Sequence, residues 1–400
     1  MGASSLQQPP IRETALAIWD RLAARGFAGW DPYAALNAER LPAALKNARF
    51  FRRTLPHAVK RSPLPLQPLL GVTPQADAYT LGHALLTAAR LGKADACGPI
   101  VTTLRAMAVG DGGQRAWGYH FPVHTRFFSY VPPTPNLIVT AFVAKGLAAA
   151  TRAGFADCSA DLRGAVAFVL NGLPRVADGT GQCVGYVPGE STVVHNANML
   201  AAMVLCEATE LLDAGGGAAW LSDALACARF TAARQAPDGS WPYSDEPYGR
   251  WVDGFHTGFV LEGLARVVRT TGDEALGAAL ERGVRFYVAQ LFGAAGEPKY
   301  YPAHAYPYDA LSAAQGVETL RVVLGGAAGL AVPDQLEWIR SHLLRPGGRV
   351  AYQVHPRWTD WREFPRWASA PLMSALAGAA ATEAGVAAAL AGAAATEATA

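Results

Sequence analysis

Six segments rich in Ala, Leu, Val and Gly recur along this chain. They begin at Asp77, Asn136, Asn196, Asp253, Asp309 and Arg366, so successive starts lie 56 to 60 residues apart. A fixed period of this size marks a repeated supersecondary unit whose copies bury their apolar faces against one another. Between these segments lie amphipathic stretches at 160–173, 218–235, 273–292 and 333–344. A helix that is apolar nearly all round belongs inside, and one with a polar face belongs outside. The repeated unit is therefore a helical hairpin. The predicted fold is all-α: an (α/α)6 toroid of six hairpins with an N-terminal helical extension. No run alternates with the period of a sheet, so strands are expected only as short pieces within loops.

This pattern divides the chain into three parts. Residues 1–76 hold a helix over 12–26 and a wrapping segment that is proline-rich in its second half. Residues 77–380 form the toroid, and 381–400 an alanine-rich tail. In that tail the ALAGAAATEA of 375–384 recurs at 389–398. The repetition is low-complexity and carries no assigned function.

About half of the residues are apolar, enough for a large core, and the net charge is only +2. The basic residues are mostly Arg and are spread out, which argues against a nucleic-acid partner. The five cysteines (Cys97, Cys158, Cys183, Cys206 and Cys227) are odd in number and form no CxxC pair. They read as reduced, buried thiols of a cytoplasmic protein. The stretch MGASSLQQPPIRET lacks the apolar core of a secretory signal. No apolar run reaches the roughly 20 residues of a membrane span. Peripheral membrane association and oligomeric state stay open, and neither a metal nor a cofactor is expected.

In a toroid of this kind the loops that precede the inner helices open at one end. Here they are rich in Gly, Pro and aromatic residues. One reading is structural: Gly makes the turn, aromatics plug the gaps between hairpins, and Asp or Asn caps the next helix. Trp220 and Trp338, on the outer helices, read as packing in the same way. The other reading is functional, a ring of aromatics forming a stacking surface at the mouth. Capping alone does not call for five histidines (His120, His124, His195, His256 and His304) on one rim.

The stretch ARFTAARQAPDGSWPY at 228–243 resembles the QW repeat of squalene-hopene and related terpenoid cyclases, with Gln235 followed by the Asp238-Gly239-Ser240-Trp241 turn. GVRFYVAQLFGAAGEPKYY is a degraded copy containing Gln290 and Gly296. DGFHTGFVLEGL is similar to the inner-helix segment of protein prenyltransferase β subunits that carries a zinc-binding histidine. The resemblance spans roughly 77–375 and implies the toroid. The chain departs from both families: it contains no DxDD motif, and one repeat before His256 it offers His195, Asn196 and Asn198, with Cys206 further on, in place of the remaining zinc ligands. HNAN in one inner helix and DGFHTG in the next also resemble a poorly characterised set of bacterial toroid proteins linked with surface polysaccharide synthesis. The same fold serves uronate-polymer lyases and glucuronyl C5-epimerases. Those enzymes stack sugars on aromatics and use Tyr and His in proton transfer.

Three functions follow as alternatives. The first is a carbohydrate-active enzyme that abstracts a proton beside a carboxylate, an epimerase or lyase acting on a uronate-containing saccharide. His195 and His256 are its candidate bases, because histidine titrates nearest neutrality. Tyr243 and Tyr308 are the candidate acids. Asp253 either orients His256 or simply caps the helix. Asn136, Asn196, Arg250 and Arg349 are candidates to hold a carboxylate. Trp117, Tyr119, Trp241, Trp251, Tyr301 and Trp367 would form the stacking surface, with His120, His304 and Asp309 among them. Asp245 and Glu246 read as a solvated turn. The second alternative is isoprenoid binding or cyclase-like chemistry, since an aromatic cavity also stabilises cations. The third is a non-catalytic glycan-binding or assembly protein.

Overall fold

Four of the six inner helices begin on the same device. The carboxylate or amide oxygen of Asp77, Asn136, Asp253 and Asp309 accepts the backbone N–H three residues on, at 2.8–2.9 Å. Each such cap is worth about 1 kcal/mol. In the computed structural model, which describes residues 10–212, 216–324 and 332–397 (residues 332–333 and 386–397 through their backbone alone), the inner helices are Ala78–Leu91, Leu137–Arg152, His195–Leu211, Gly254–Thr271, Ala310–Leu324 and Ser369–Glu397. Each packs on the next, and the last returns to the first, closing the ring. Close packing requires glycine where two backbones meet. A Cβ on Gly82 would lie 2.8 Å from the Phe142 carbonyl oxygen, and one on Gly146 would lie 2.5 Å from that of Gly82.

Five outer helices follow their inner partners: Ala94–Met107, Ser159–Ala167, Gly217–Ala232, Glu274–Leu291 and Val332–Leu343. The second runs on into a π-helical turn at Phe168–Gly172. The sixth inner helix takes its partner from the other end of the chain. Ile11–Ala23 packs on it and buries Ile11, Ala15, Ile18, Trp19 and Leu22. The expected N-terminal extension is thus the twelfth helix of the ring. The alanine-rich stretch 381–397 continues the sixth inner helix, while residues 398–400, like residues 1–9, lie outside the described residues.

Strands appear only as short pieces in the loops, the largest group being a four-stranded antiparallel sheet in the order Thr359–Asp360, Gln353–Val354, His304–Asp309, Lys299–Tyr301. The segment 28–76 crosses the end of the ring where these loops gather. Arg366 binds Asp31, Asn37 donates to the His120 carbonyl, and Arg362 donates to the carbonyls of Val59 and Lys60. All five cysteines are buried and unpaired. No described helix is long and apolar enough to cross a membrane.

The inner helices depart from uniform apolarity in one place. Lys145, Glu262 and Glu318 turn into the ring axis, where the Lys145 ammonium bonds both carboxylates and Glu318 also holds Arg90 at 2.6 Å and Arg321 at 2.9 Å. The ring then widens toward the helix C-termini into a cavity of about 610 Å³. His83 is buried just above this network, with Nδ1 2.7 Å from the Ser374 hydroxyl. Burial first, and the Lys145 charge second, depress its pKa to about 3. A buried neutral histidine takes up its proton more readily in the unfolded chain. Its stabilising contribution is complete above its unfolded pKa of about 6.5 and is lost as pH falls towards the folded value. We expect Tm to decline on acidification below about pH 6.5. The decline should be shallower in His83→Gln, as scanning calorimetry across that range would show.

Candidate functional site

Asp253 serves its helix and its neighbour at once. Oδ1 accepts the His256 backbone N–H at 2.9 Å, while Oδ2 accepts His256 Nδ1–H at 2.6 Å and Trp251 Nε1–H at 2.9 Å. Capping and orientation are thus divided between the two oxygens of one carboxylate. Because that carboxylate only accepts, Nδ1 carries a proton, and in the neutral ring the lone pair lies on Nε2. The Tyr243 ring stacks on Trp251 with centroids 4.6 Å apart, and lies 4.6 Å from the His256 ring at a tilt. Burial, with Tyr119 and Asp253 nearby, raises the Tyr243 hydroxyl well above its ordinary pKa, so it remains a donor. Asn196 joins Tyr243, Trp251 and His256 around one narrow pocket, and its buried Oδ1 has no partner.

Further polar groups gather at the same end. Asn136 Oδ1 caps its helix, which leaves Nδ2 buried and unpartnered. Tyr119 lies against Phe121 and beneath the Arg366 guanidinium, 4.6 Å from its ring centre. Trp367 packs edge-on to Phe255, the residue beside His256, and its buried Nε1 is unpartnered. Tyr301 and Asp309 lie near Lys60 and each other. Asp309 caps Ala310–Leu324, and burial raises its pKa.

Other expected site residues lie elsewhere. His195 is fully buried and does not converge with His256. Its Nε2 bonds Asp245, which bonds Arg234, which bonds Asp178, a chain running to the outer rim. Asp245 lies exposed in its turn, as expected, and is ion-paired there as well; the His195 bond and then Arg234 hold its carboxyl below the usual range. Trp117 and Trp241 stand in the wall, each buried and donating Nε1–H to a backbone carbonyl, of Leu104 and Thr231 respectively. Tyr308 packs on the outer-helix Trp338. His304 and Arg250 are exposed. Arg349 donates to the Trp361 carbonyl and lines a separate cleft with Trp358 and Gln67. The His120 carbonyl binds Asn37, and its ring abuts Phe121. Among the described residues no three His, Cys, Asp or Glu side chains are gathered as a metal site.

Sequence reasoning passed over the contribution of the wrapping segment and of several tyrosines. The Arg366–Asp31 pair is buried under the mouth, and Tyr130, Tyr186 and Tyr300, all raised in pKa chiefly by burial, line it. One signal was available: the helix Arg49–Arg61 holds five Arg or Lys residues and no acid.

An Asp253→Asn substitution separates the two roles of this carboxylate. Asparagine keeps the cap, but its single oxygen cannot also accept Trp251 Nε1–H, so stability should fall by about 1–3 kcal/mol. It cannot stabilise an imidazolium, so turnover should fall about 100-fold. Parallel kcat and Tm measurements check this; unchanged kcat would reduce Asp253 to a cap.

No protein-family model matches this chain, and no curated protein sequence does. Solved structures do. A family 76 glycoside hydrolase, an α-mannanase of Bacteroides thetaiotaomicron, superposes with a TM-score of 0.61 at 12% identity, covering 79% of this chain and 89% of that one. Cellobiose 2-epimerase of Bacillus thermoamylovorans gives 0.60 at 8% identity over 76% and 87%. A D-mannose isomerase gives 0.57 at 10% identity over 77% and 86%. The chain is an (α/α)6 toroid. At these identities the likeness is one of fold.

Proposed function

We propose that this protein is a carbohydrate-active enzyme that abstracts a proton from a sugar carbon next to a carboxylate or carbonyl, an epimerase or lyase whose substrate is a uronate-containing oligo- or polysaccharide. The observation that carries the reading is the Asp253–His256–Tyr243 set, in which an oriented imidazole with a free Nε2 stands beside a phenol that stays protonated. In the reaction, Nε2 takes the proton from carbon, and Asp253 stabilises the imidazolium that forms. The Tyr243 hydroxyl donates to the oxygen on which charge develops. Delivery of a proton to the opposite face gives the epimer, while return to the same face regenerates the substrate; loss of the oxygen substituent on the next carbon, protonated by the imidazolium as it leaves, gives a lyase product.

The aromatic mouth suits pyranose faces, and the cationic helix Arg49–Arg61 across it favours an acidic sugar. The names of the structural neighbours support a second substrate class for the same chemistry, a neutral aldose epimerised or isomerised through its carbonyl. Hydrolysis is less well supported. It needs two available carboxylates flanking the bond, whereas Asp31, Asp77, Asp253 and Asp309 are occupied by Arg366, helix starts and His256.

The test is a thermal-shift screen against uronate-containing oligosaccharides, neutral oligosaccharides and prenyl diphosphates, read beside deuterium uptake at carbon and the absorbance of unsaturated uronates. A sugar-dependent shift with isotope exchange or new absorbance supports the proposal. A shift with sugar but no chemistry makes the protein a glycan binder, and a shift only with prenyl diphosphate replaces the reading with an isoprenoid one.

A further inference from the structure

The helix Arg49–Arg61 is held to the mouth at its last turn. Arg362, itself paired with Asp360, donates to the carbonyls of Val59 at 3.2 Å and Lys60 at 2.9 Å. That clamp fixes Lys60. Its ammonium donates to the Tyr33 hydroxyl at 2.8 Å and lies 5.0 Å and 5.2 Å from the ring centres of Tyr33 and Trp367. Among the described residues no carboxylate pairs with it. Asp309 is close enough to be felt electrostatically, but its Oδ1 is turned to the Ser312 N–H.

Two more donors stand beside this ammonium. Tyr352 is almost wholly buried and its hydroxyl takes a hydrogen bond from the Lys60 ammonium, which leaves its O–H to donate, and the buried Trp367 Nε1 has no partner. A cation, a phenol O–H and an indole N–H gathered with no carboxylate bonded to them share one complement, an oxyanion. The cluster also communicates with the base. Trp367 touches Phe255, which touches His256 with ring centres 4.0 Å apart, and Tyr301 feels both Lys60 and Asp253.

We propose that Lys60, Tyr352 and Trp367 form an anion subsite that holds the carboxylate of a sugar residue neighbouring the one presented to His256. This rests on the saccharide reading above and sharpens it: the substrate is at least a disaccharide, and its acidic group lies on the residue beyond the reacting sugar. The ring alone does not make the site, because its cation comes from the wrapping segment.

The experiment measures affinity of the full chain for acidic and neutral oligosaccharides of equal length, in wild type, Lys60→Met, Lys60→Arg and Tyr352→Phe, each checked for native Tm. Lys60→Met should weaken the acidic ligand by about 10- to 100-fold, leave the neutral one unchanged and flatten the salt dependence. Lys60→Arg should restore most of the loss. Should Lys60→Met fail to fold, Tyr352→Phe, which removes only the hydroxyl, must still weaken the acidic ligand selectively. Equal affinity of these variants and wild type for the acidic ligand overturns the subsite. Wild-type binding and turnover of neutral sugars alone also overturns it while the saccharide reading stands; no sugar binding at all removes both.

Discussion

Replacing His256 with alanine should lower turnover by about 10²- to 10⁴-fold, the usual contribution of a positioned general base, with substrate affinity and Tm close to wild type. The two halves of that expectation have separate physical grounds. The helix start survives because Asp253 Oδ1 bonds the backbone N–H of residue 256, which alanine keeps. Trp251 still donates to Oδ2, so the carboxylate is not stranded. What disappears is the imidazole of the mouth pocket, which among the described residues is lined also by Asn196 and Tyr243. Single-turnover kinetics alongside equilibrium binding would separate the two; full activity in His256→Ala would remove this residue from the mechanism.

Glu318→Ala should be the most damaging change to stability. Glu318 binds Arg90, Lys145 and Arg321. Burial alone would raise its pKa, but these three cations outweigh that and hold it well below the carboxylate range. Removing one partner of a buried network leaves uncompensated charge and costs about 3–5 kcal/mol, a fall in Tm of about 4–6 °C for a chain of 400 residues. The network lies down the ring axis from the mouth, so ligand binding there should persist below the new Tm. By calorimetry, a loss under ~1 kcal/mol would mean that water already screens these charges.

Much of the architecture was legible because it is repetitive. The recurring Asp or Asn ahead of an apolar run marks both the period and the caps, and four of those residues do cap. The Asp253–His256 spacing was legible as an alternative, and one carboxylate performs both tasks. What a linear reading cannot supply is which way a side chain turns. Trp241 follows a glycine turn and looks like a stacking residue, yet it packs over Gly283, where a Cβ would come within 2.6 Å of its ring, and Gln235 ties the same turn to the Ala279 carbonyl. His195 looks equivalent to His256 but turns towards Asp245. The axial charges had a signal of their own: Lys145, Glu262 and Glu318 each lie nine residues beyond the polar residue that opens their helix. Lys60 had none beyond a basic stretch, since its partners Tyr33, Tyr352 and Trp367 are spread across the whole chain.

The pairing of Ile11–Ala23 with Ser369–Glu397 bears on how this molecule comes to exist. On the ribosome the first helix emerges long before its partner has been translated, so its apolar face must wait while five hairpins assemble. The ring is closed by the contact of greatest sequence separation, the kind whose loop entropy slows folding most. The wrapping segment between that helix and the first inner helix bridges the same junction, so the mouth takes its final shape only as the last helix docks. The mouth is therefore assembled only when this closing contact forms.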